Sequence, residues 1–216
     1  MAKSPAQHRV QDRPPRRAAA DRRAERRAAI LAAALQEFSA RGFAAARLDD
    51  VAERAGIAKG TIYLYFQDKE TLFQELIRSQ MGPVVGTLEA ALGLDISPRR
   101  AAERAIELFL REIYGTERKN IIRLIISEGP RFPQLAEFYY REVVARGIAA
   151  VRTLLTRACE RGELRNDAII RFPQLLIAPG IVAIIWKGLF EPHAPLDVSA
   201  MMRAHLDLLF GEGDTK

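Results

Sequence analysis

The chain contains a single cysteine, few aromatic residues and no long hydrophobic run. One thiol, Cys159, excludes an intramolecular disulfide and fits a reducing compartment. It lies in a helical pattern, where we expect a small buried or half-buried side chain. No apolar stretch reaches the roughly 18 residues of a membrane span, and the N-terminus lacks the apolar core of a signal peptide. We therefore expect a cytoplasmic protein with no membrane partner.

Catalytic and cofactor motifs are also missing from the sequence. There is no Gly-rich phosphate loop, no HExxH zinc pair and no Ser/His/Asp arrangement at motif spacing. His193 and His205 lack metal-ligand spacing with the cysteine or with carboxylates. We expect no enzyme activity, no cofactor and no metal site.

Positive charge is concentrated at the N-terminus. Residues 1–27 hold nine basic and three acidic residues, so they carry the whole net charge of +6, while residues 28–80 hold six basic and seven acidic residues. Pro5, Pro14 and Pro15, with few large apolar groups, predict a disordered basic arm over residues 1–20. Such an arm is either a solvated tail or a segment that lies along DNA phosphates.

Helix is the predominant structure expected in the rest of the chain, because alanine and leucine dominate and aromatic residues make up only 7%. The first helix should run from Asp21 to Arg41, with Gly42 after it. A later helix should begin after the N-cap Asp68 and be kinked at Gly82-Pro83, because proline lacks the backbone donor. Further helices are expected over residues 98–114, 118–127, 132–161 (closed by Gly162), about 168–189 and 198–210. The helix near 168–189 should be interrupted or begun at Pro173 and kinked near Pro179-Gly180.

Two short helices joined by a tight turn are predicted between residues 47 and 66. Leu48, Val51, Ala52 and Ala55 fall at helical spacing on one face. Gly56 can end that helix, since glycine adopts positive φ without a Cβ clash. The second helix would bury Ile62 and Phe66 and leave its other faces free. This division is typical of a helix-turn-helix whose second helix enters a DNA major groove.

Several short strings occur here at fixed spacing: Gly42-Phe43, Ala55-Gly56-Ile57, the run from Ala58 to Phe66, and Lys69-Glu70-Thr71-Leu72. With them, the segment from Ile30 to Ser79 resembles the tetracycline-repressor-like (TetR) family of bacterial regulators. The resemblance implies an all-α, nine-helix, two-domain architecture. Its three-helix DNA-binding domain would cover residues 21–67, and a helical ligand-binding and dimerisation domain would cover residues 68–216. The chain departs from the family at Ala46-Arg47, where a Thr or Ser usually opens the second helix.

The resemblance, together with side-chain chemistry, also implies site residues. Lys59, Thr61 and Leu64 would face base edges while Gly60 allows a close backbone approach, and Arg47, Tyr63, Tyr65 and Lys69 would contact phosphates. The last long helices would form a homodimer interface containing Ile181, Ile185, Leu189, Met202, Leu206 and Leu209. A mostly apolar pocket would be lined by Phe109, Ile113, Ile125, Phe132, Phe138, Tyr139, Leu176 and Trp186.

These expectations describe a ligand-responsive DNA-binding transcriptional regulator. It would be a repressor that binds a palindromic double-stranded DNA operator as a homodimer and is released by a small, mostly apolar molecule. The alternative is an architectural or division-site factor that binds DNA without a small-molecule input. The two differ in whether the C-terminal domain contains a ligand cavity.

Overall fold

The computed structural model describes residues 15–164 and 168–210, with side chains described from residue 19 onward, and these ranges contain helices and no strands. The predicted all-α class is confirmed. The α-helices are α1 (Pro15–Ala45), α2 (Leu48–Arg54), α3 (Lys59–Ile62), α4 (Lys69–Gly93), α5 (Pro98–Leu108), α6 (Lys119–Glu128), α7 (Pro133–Tyr139), α8 (Ala145–Glu160), α9 (Ala168–Arg171), α10 (Gln174–Leu189) and α11 (Val198–Phe210). A π-helical segment, Phe109–Tyr114, continues α5, and a second, Tyr140–Val144, joins α7 to α8.

Several helix boundaries differ from the predictions. α1 begins at Pro15, six residues before the predicted start at Asp21, because proline is tolerated in a first helical turn. The predicted disordered arm therefore loses residues 15–20 to α1, and residues 1–14 lie outside the described residues. The predicted interruption at Pro173 is confirmed, since Phe172-Pro173 separates α9 from α10. Counted as continuous helical runs, the described ranges hold ten helices, one more than the nine predicted.

Glycines and capping residues end and begin the helices as the sequence indicates. Gly42, Gly56 and Gly162 have φ angles of +73°, +67° and +69°. At Gly42 the backbone leaves the helical conformation within α1, and Phe43 turns into the core. At the start of α4, the Asp68 carboxylate accepts a hydrogen bond from the Thr71 N–H at 2.7 Å. α4 then continues through Pro83 to Gly93.

One hydrophobic core joins the N-terminal helices to those that follow. Phe38, Phe43 and Phe73 pack with ring centroids 5.5–5.6 Å apart, and the same cluster includes Ile121 of α6 and Phe138 of α7. A second cluster lies between α4, α5, α8 and α11, and a third joins α10 to α11. Because the first core extends beyond residue 67, the three N-terminal helices share their hydrophobic interior with the C-terminal region.

Two single observations complete the fold. Cys159 is exposed on α8, so the expectation of a buried or half-buried thiol is wrong. Within residues 15–164 and 168–210, no helix combines the length and the apolar character that crossing a membrane requires.

Candidate nucleic-acid interface

α2 and α3 form the predicted helix-turn-helix. Val51 and Ala52 of α2 and Ile62 of α3 are fully buried between the helices. In the turn, the Gly56 N–H donates to the Glu53 carbonyl at 3.1 Å and the Ile57 N–H donates to the Ala52 carbonyl at 3.0 Å. These bonds satisfy the last carbonyls of α2, so the turn is held by the backbone itself.

The residues around α3 present a face without intramolecular packing. Leu64 is 75% exposed and Tyr63 is 53% exposed, although both are large apolar or aromatic side chains. The Lys59 side chain is 64% exposed beside them. A Cβ added to Gly60 would meet nothing within 4 Å, so the open space there faces outward. This face combines the Lys59 cation, the Tyr63 hydroxyl and the apolar Leu64 side chain, which are groups that contact base edges and phosphates.

Asp49 of α2 contacts this face, which the sequence reasoning missed. Its Oδ2 lies 3.9 Å from the Lys59 Nζ, and the Tyr63 hydroxyl donates to its Oδ1 at 3.5 Å. Both contacts are long and exposed, so they orient the two side chains with little stabilisation. The signal in the sequence was a carboxylate in the first turn of α2.

Three predicted phosphate contacts have different environments. Arg47 is exposed at the N-cap position of α2 and makes no side-chain cap, whereas Tyr65 is half-buried against the first core. Lys69 donates to the carbonyls of Phe43 and Ala44, each at 2.9 Å. Its ammonium also lies 3.5 Å from the Ala46 carbonyl and 4.8 Å from the centre of the Phe43 ring. The structure therefore gives Lys69 a role in holding the end of α1.

Arginines in the first half of α1 contact aromatic residues that follow α3. The Arg23 guanidinium is 6.0 Å from the centre of the Tyr65 ring, and the Arg27 guanidinium is 5.1 Å from that of Phe66. Arg27 also pairs with Glu75 of α4 at 2.9 Å. These contacts place this arginine-rich part of α1 beside the segment that follows α3.

A buried carboxylate fixes α1 against α2. Glu37 is 1% exposed, and the Arg54 guanidinium donates to its Oε2 at 2.9 Å. The Arg41 Nε lies 3.1 Å from Oε1 as an ion pair without hydrogen-bond geometry, and Arg41 also donates to Asp50 of α2 at 3.2 Å. Because a buried charge requires compensation, this pair of arginines specifies the angle between α1 and α2.

The eight predicted pocket residues lie in different parts of the hydrophobic interior. Six of them belong to the first core or pack against it: Phe109, Ile113, Ile125, Phe132, Phe138 and Tyr139. Burial raises the pKa of the Tyr139 hydroxyl above its usual range. Leu176 packs in the second cluster, and the Trp186 indole N–H donates to the Ala194 carbonyl at 2.6 Å.

An open cleft of about 420 Å³ lies elsewhere, between α1 and α6. α1 contributes Phe38, Ser39 and Gly42 to it, and α6 contributes Asn120, Arg123, Leu124 and Ser127. None of the predicted pocket residues lines this cleft.

The predicted dimer residues divide into two groups. Ile181, Ile185 and Leu189 are 36%, 38% and 60% exposed along α10. Met202 and Leu206 of α11 are 4% and 1% exposed, because they pack in the core of their own chain, and Leu209 is half-buried. Val182 of α10 and Leu208 of α11 are also exposed, at 47% and 70%, and extend the apolar surface.

Comparison with known proteins finds a family match for the N-terminal part of the chain and another for the C-terminal part. Residues 30–76 match the family described as bacterial regulatory proteins, tetR family, and residues 96–205 match the tetracyclin repressor-like C-terminal domain. The transcriptional regulator SrpR of Pseudomonas putida is 28% identical over 165 residues, covering 76% of each chain. The transcriptional repressor BepR of Brucella suis is 32% identical over 150 residues, covering 67% of this chain and 71% of the relative.

The fold is also found among solved structures. FadR of Bacillus subtilis in complex with stearoyl-CoA superposes with a TM-score of 0.66 at 19% identity, covering 86% of this chain and 98% of that one. The same assignment follows from the two family matches, from the helix-turn-helix and from the exposed face of α3. The chain belongs to the TetR family of bacterial DNA-binding transcriptional regulators and is not an enzyme.

Proposed function

We propose that the protein is a ligand-responsive repressor that binds a palindromic operator as a homodimer and is released by a small, mostly apolar molecule. The observation that carries this proposal is the exposed face of α3, where Lys59, Tyr63 and Leu64 have no partner large enough to bury them. Large exposed apolar side chains at a short helix indicate a binding surface. One relative, BepR, is a repressor by name, which supports repression as the mode of regulation.

On the DNA, we assign base contacts to Lys59, Thr61 and Leu64, with Gly60 allowing close approach. The Lys59 ammonium can donate to guanine N7 or O6, and the Leu64 side chain can contact a thymine methyl group. Arg47, Tyr63 and Tyr65 are assigned to phosphates, which set the register. We withdraw Lys69 from this set, because its ammonium already serves two carbonyls at 2.9 Å.

For the homodimer, the proposed surface is the exposed apolar stripe of α10 formed by Ile181, Val182, Ile185 and Leu189, together with Leu208 of α11. A two-fold axis through this surface would bring the same stripe of a second copy against it. An Ile185→Glu variant should sediment as a monomer, because it places a carboxylate in an apolar interface. An Arg203→Glu variant, on an exposed face of α11, is the control and should remain a dimer.

For the ligand, we propose a pocket that opens within the first core beside the two π-helical segments. Phe109 and Ile113 lie in the first segment, and Phe138 and Tyr139 immediately precede the second. Single π-helical turns are frequent at functional sites, since they leave part of the helical hydrogen-bond ladder adaptable. The stearoyl-CoA bound by the distantly related FadR is consistent with an apolar ligand.

Selection of bound sequences from a random DNA pool tests the function directly. A palindrome whose half-sites are separated by about one helical turn, or roughly 34–36 Å, is expected. Salt-dependent binding without sequence preference would instead support the architectural factor. Release of the selected DNA by stearoyl-CoA or stearate, measured by fluorescence anisotropy, then tests the apolar input.

A further inference from the structure

The cleft between α1 and α6 is lined by side chains from both helices. Asn120, Arg123 or Leu124, and Ser127 recur at helical spacing on one face of α6. Opposite them, α1 presents Ser39 and the break at Gly42. Phe38 and Leu124 are buried at 1% and 8% exposure and supply an apolar floor. The result is a cleft with an apolar base and polar walls that both domains form.

One wall carries a cation that no carboxylate neutralises. The Arg123 side chain makes no ion pair or hydrogen bond with any residue in the described part of the chain. Its position is nevertheless restricted by α10, since a Cβ on Gly188 would lie only 2.9 Å from the Arg123 Cζ and Nη2. A guanidinium offers five N–H donors in a fixed plane, and here all of them are available to a ligand.

The remaining polar groups add hydrogen bonds. The Ser127 hydroxyl donates to the Leu124 carbonyl at 3.2 Å, which leaves its oxygen as an acceptor. Asn120 donates to Glu117 at 2.7 Å and keeps its amide oxygen. Ser39 is exposed on the facing wall. Groups of this kind orient a small ligand whose apolar part lies on the floor.

Glu128 determines where the negative charge of a ligand can lie. Its Oε1 is 2.9 Å from the position that a Cβ of Gly42 would take, so a carboxylate borders one end of the cleft. Arg123 is five residues earlier on α6, or about 7.5 Å along the helix axis. An anionic head is therefore attracted to the Arg123 end and repelled from the Gly42 end.

From these groups we infer that the cleft binds a small organic anion with an apolar body, such as an aromatic carboxylate. Its volume of about 420 Å³ lies within the roughly 300–1,000 Å³ of small-molecule sites. The head group pairs with the Arg123 guanidinium, and the ring lies over Phe38 and Leu124. The site is separate from the pocket proposed within the first core, and its occupant contacts α1 and α6 together.

Titration of the full chain by amide NMR with benzoate, phenyl phosphate and benzamide tests the site. Benzoate should give saturable shifts at the amides of Ser39, Gly42 and Ser127, and neutral benzamide should bind at least about tenfold more weakly, as the loss of a charge-assisted contact predicts. If phenyl phosphate binds more tightly than benzoate, the preferred head group is a phosphate. If benzoate binds more tightly, the preferred head group is a carboxylate. The inference is overturned if neither anion shifts these amides, or if benzamide binds as well as benzoate.

Variants distinguish binding in this cleft from adsorption of anions to any surface arginine. Arg123→Gln should weaken benzoate binding about tenfold or more, while Arg152→Gln, at an exposed and equally unpaired arginine of α8, should leave it unchanged. Ser127→Leu fills the cleft from an exposed position and should abolish binding without removing a charge. Equal weakening by Arg123→Gln and Arg152→Gln would refute the site. Failure here leaves the DNA-binding proposal intact, because the random-pool selection uses none of these probes.

Discussion

Replacing Lys69 with methionine distinguishes a structural lysine from a phosphate contact. Methionine keeps most of the side-chain length and removes the ammonium, which donates to two carbonyls at 2.9 Å and lies 4.8 Å from the centre of the Phe43 ring. We take about 1 kcal/mol for each hydrogen bond and about 0.5 kcal/mol for the ring contact, since the lysine is half-exposed and water can replace part of its bonding. The variant should lose about 2–3 kcal/mol of unfolding free energy. For a chain of this size each kcal/mol shifts Tm by about 2–4 °C, so Tm should fall by about 4–12 °C.

The same lysine would behave differently if it bound a phosphate. Loss of one phosphate contact would reduce the slope of log K against log salt concentration by about 0.9 and leave Tm unchanged. Lys59→Met is the matched control, because its ammonium is exposed and its nearest carboxylate is 3.9 Å away. We expect Lys59→Met to weaken binding to the selected operator with Tm within about 1 °C of the parent protein. A Lys69→Met protein with unchanged Tm and a reduced salt slope would refute the structural role.

Three further substitutions test the packing around the site. Glu37→Gln should lower the unfolding free energy in urea by about 2 kcal/mol, because the buried carboxylate pairs with Arg54 at 2.9 Å. Asp68→Ala should lower the unfolding free energy by about 1 kcal/mol, because it removes the N-cap of α4. The Thr71 N–H holds the pKa of Asp68 below its usual 3.8, so this contribution is present above that pH and is lost as the pH falls through the lowered pKa. Burial lowers the pKa of His205 from its usual 6.5, so stability should decline as the pH falls below 6.5, and His205→Gln should flatten that decline.

Glu37→Gln and His205→Gln each have a control of the same residue type, and Asp68→Ala is checked by its pH dependence. Glu25→Gln, at an exposed position of α1, should leave the urea midpoint unchanged, and an equal effect at both sites would contradict a special role for the buried carboxylate. A difference between the parent and Asp68→Ala that persisted at pH 2 would contradict the capping account. His193 is exposed, so His193→Gln should preserve the pH dependence that His205→Gln removes.

The sequence predicted the elements that depend on local rules. The helix-turn-helix, the glycines at 42 and 56 and the cap at Asp68 follow from periodicity and backbone preference, and all were confirmed. Periodicity does not locate the ligand pocket in the same way, because large apolar residues at helical spacing fill the core as readily as they line a cavity. Met202 and Leu206 are apolar residues at helical spacing like the exposed Ile185, but Met202 packs against α10 and Leu206 packs in the second cluster. These tertiary contacts, which no local pattern specifies, separate the buried residues from the exposed one. The role of Lys69 depends on carbonyls 23 to 26 residues away, which no local pattern specifies.

The position of α1 gives a physical reason for regulation to pass through it. Glu37 and Arg41 connect α1 to α2, and neighbouring residues in the same turns of α1 face α6 across the cleft. α1 thus contacts the DNA-reading unit on one side and the C-terminal domain on the other, without a separate core between them. A ligand can change operator affinity only if it binds the DNA-bound and DNA-released arrangements of these helices with different affinities. A difference of about 1.4 kcal/mol between the two binding free energies gives a tenfold change. Because ion pairs hold α1 against α2 whereas an open cleft separates part of α1 from α6, that difference is expected to arise at the α6 side.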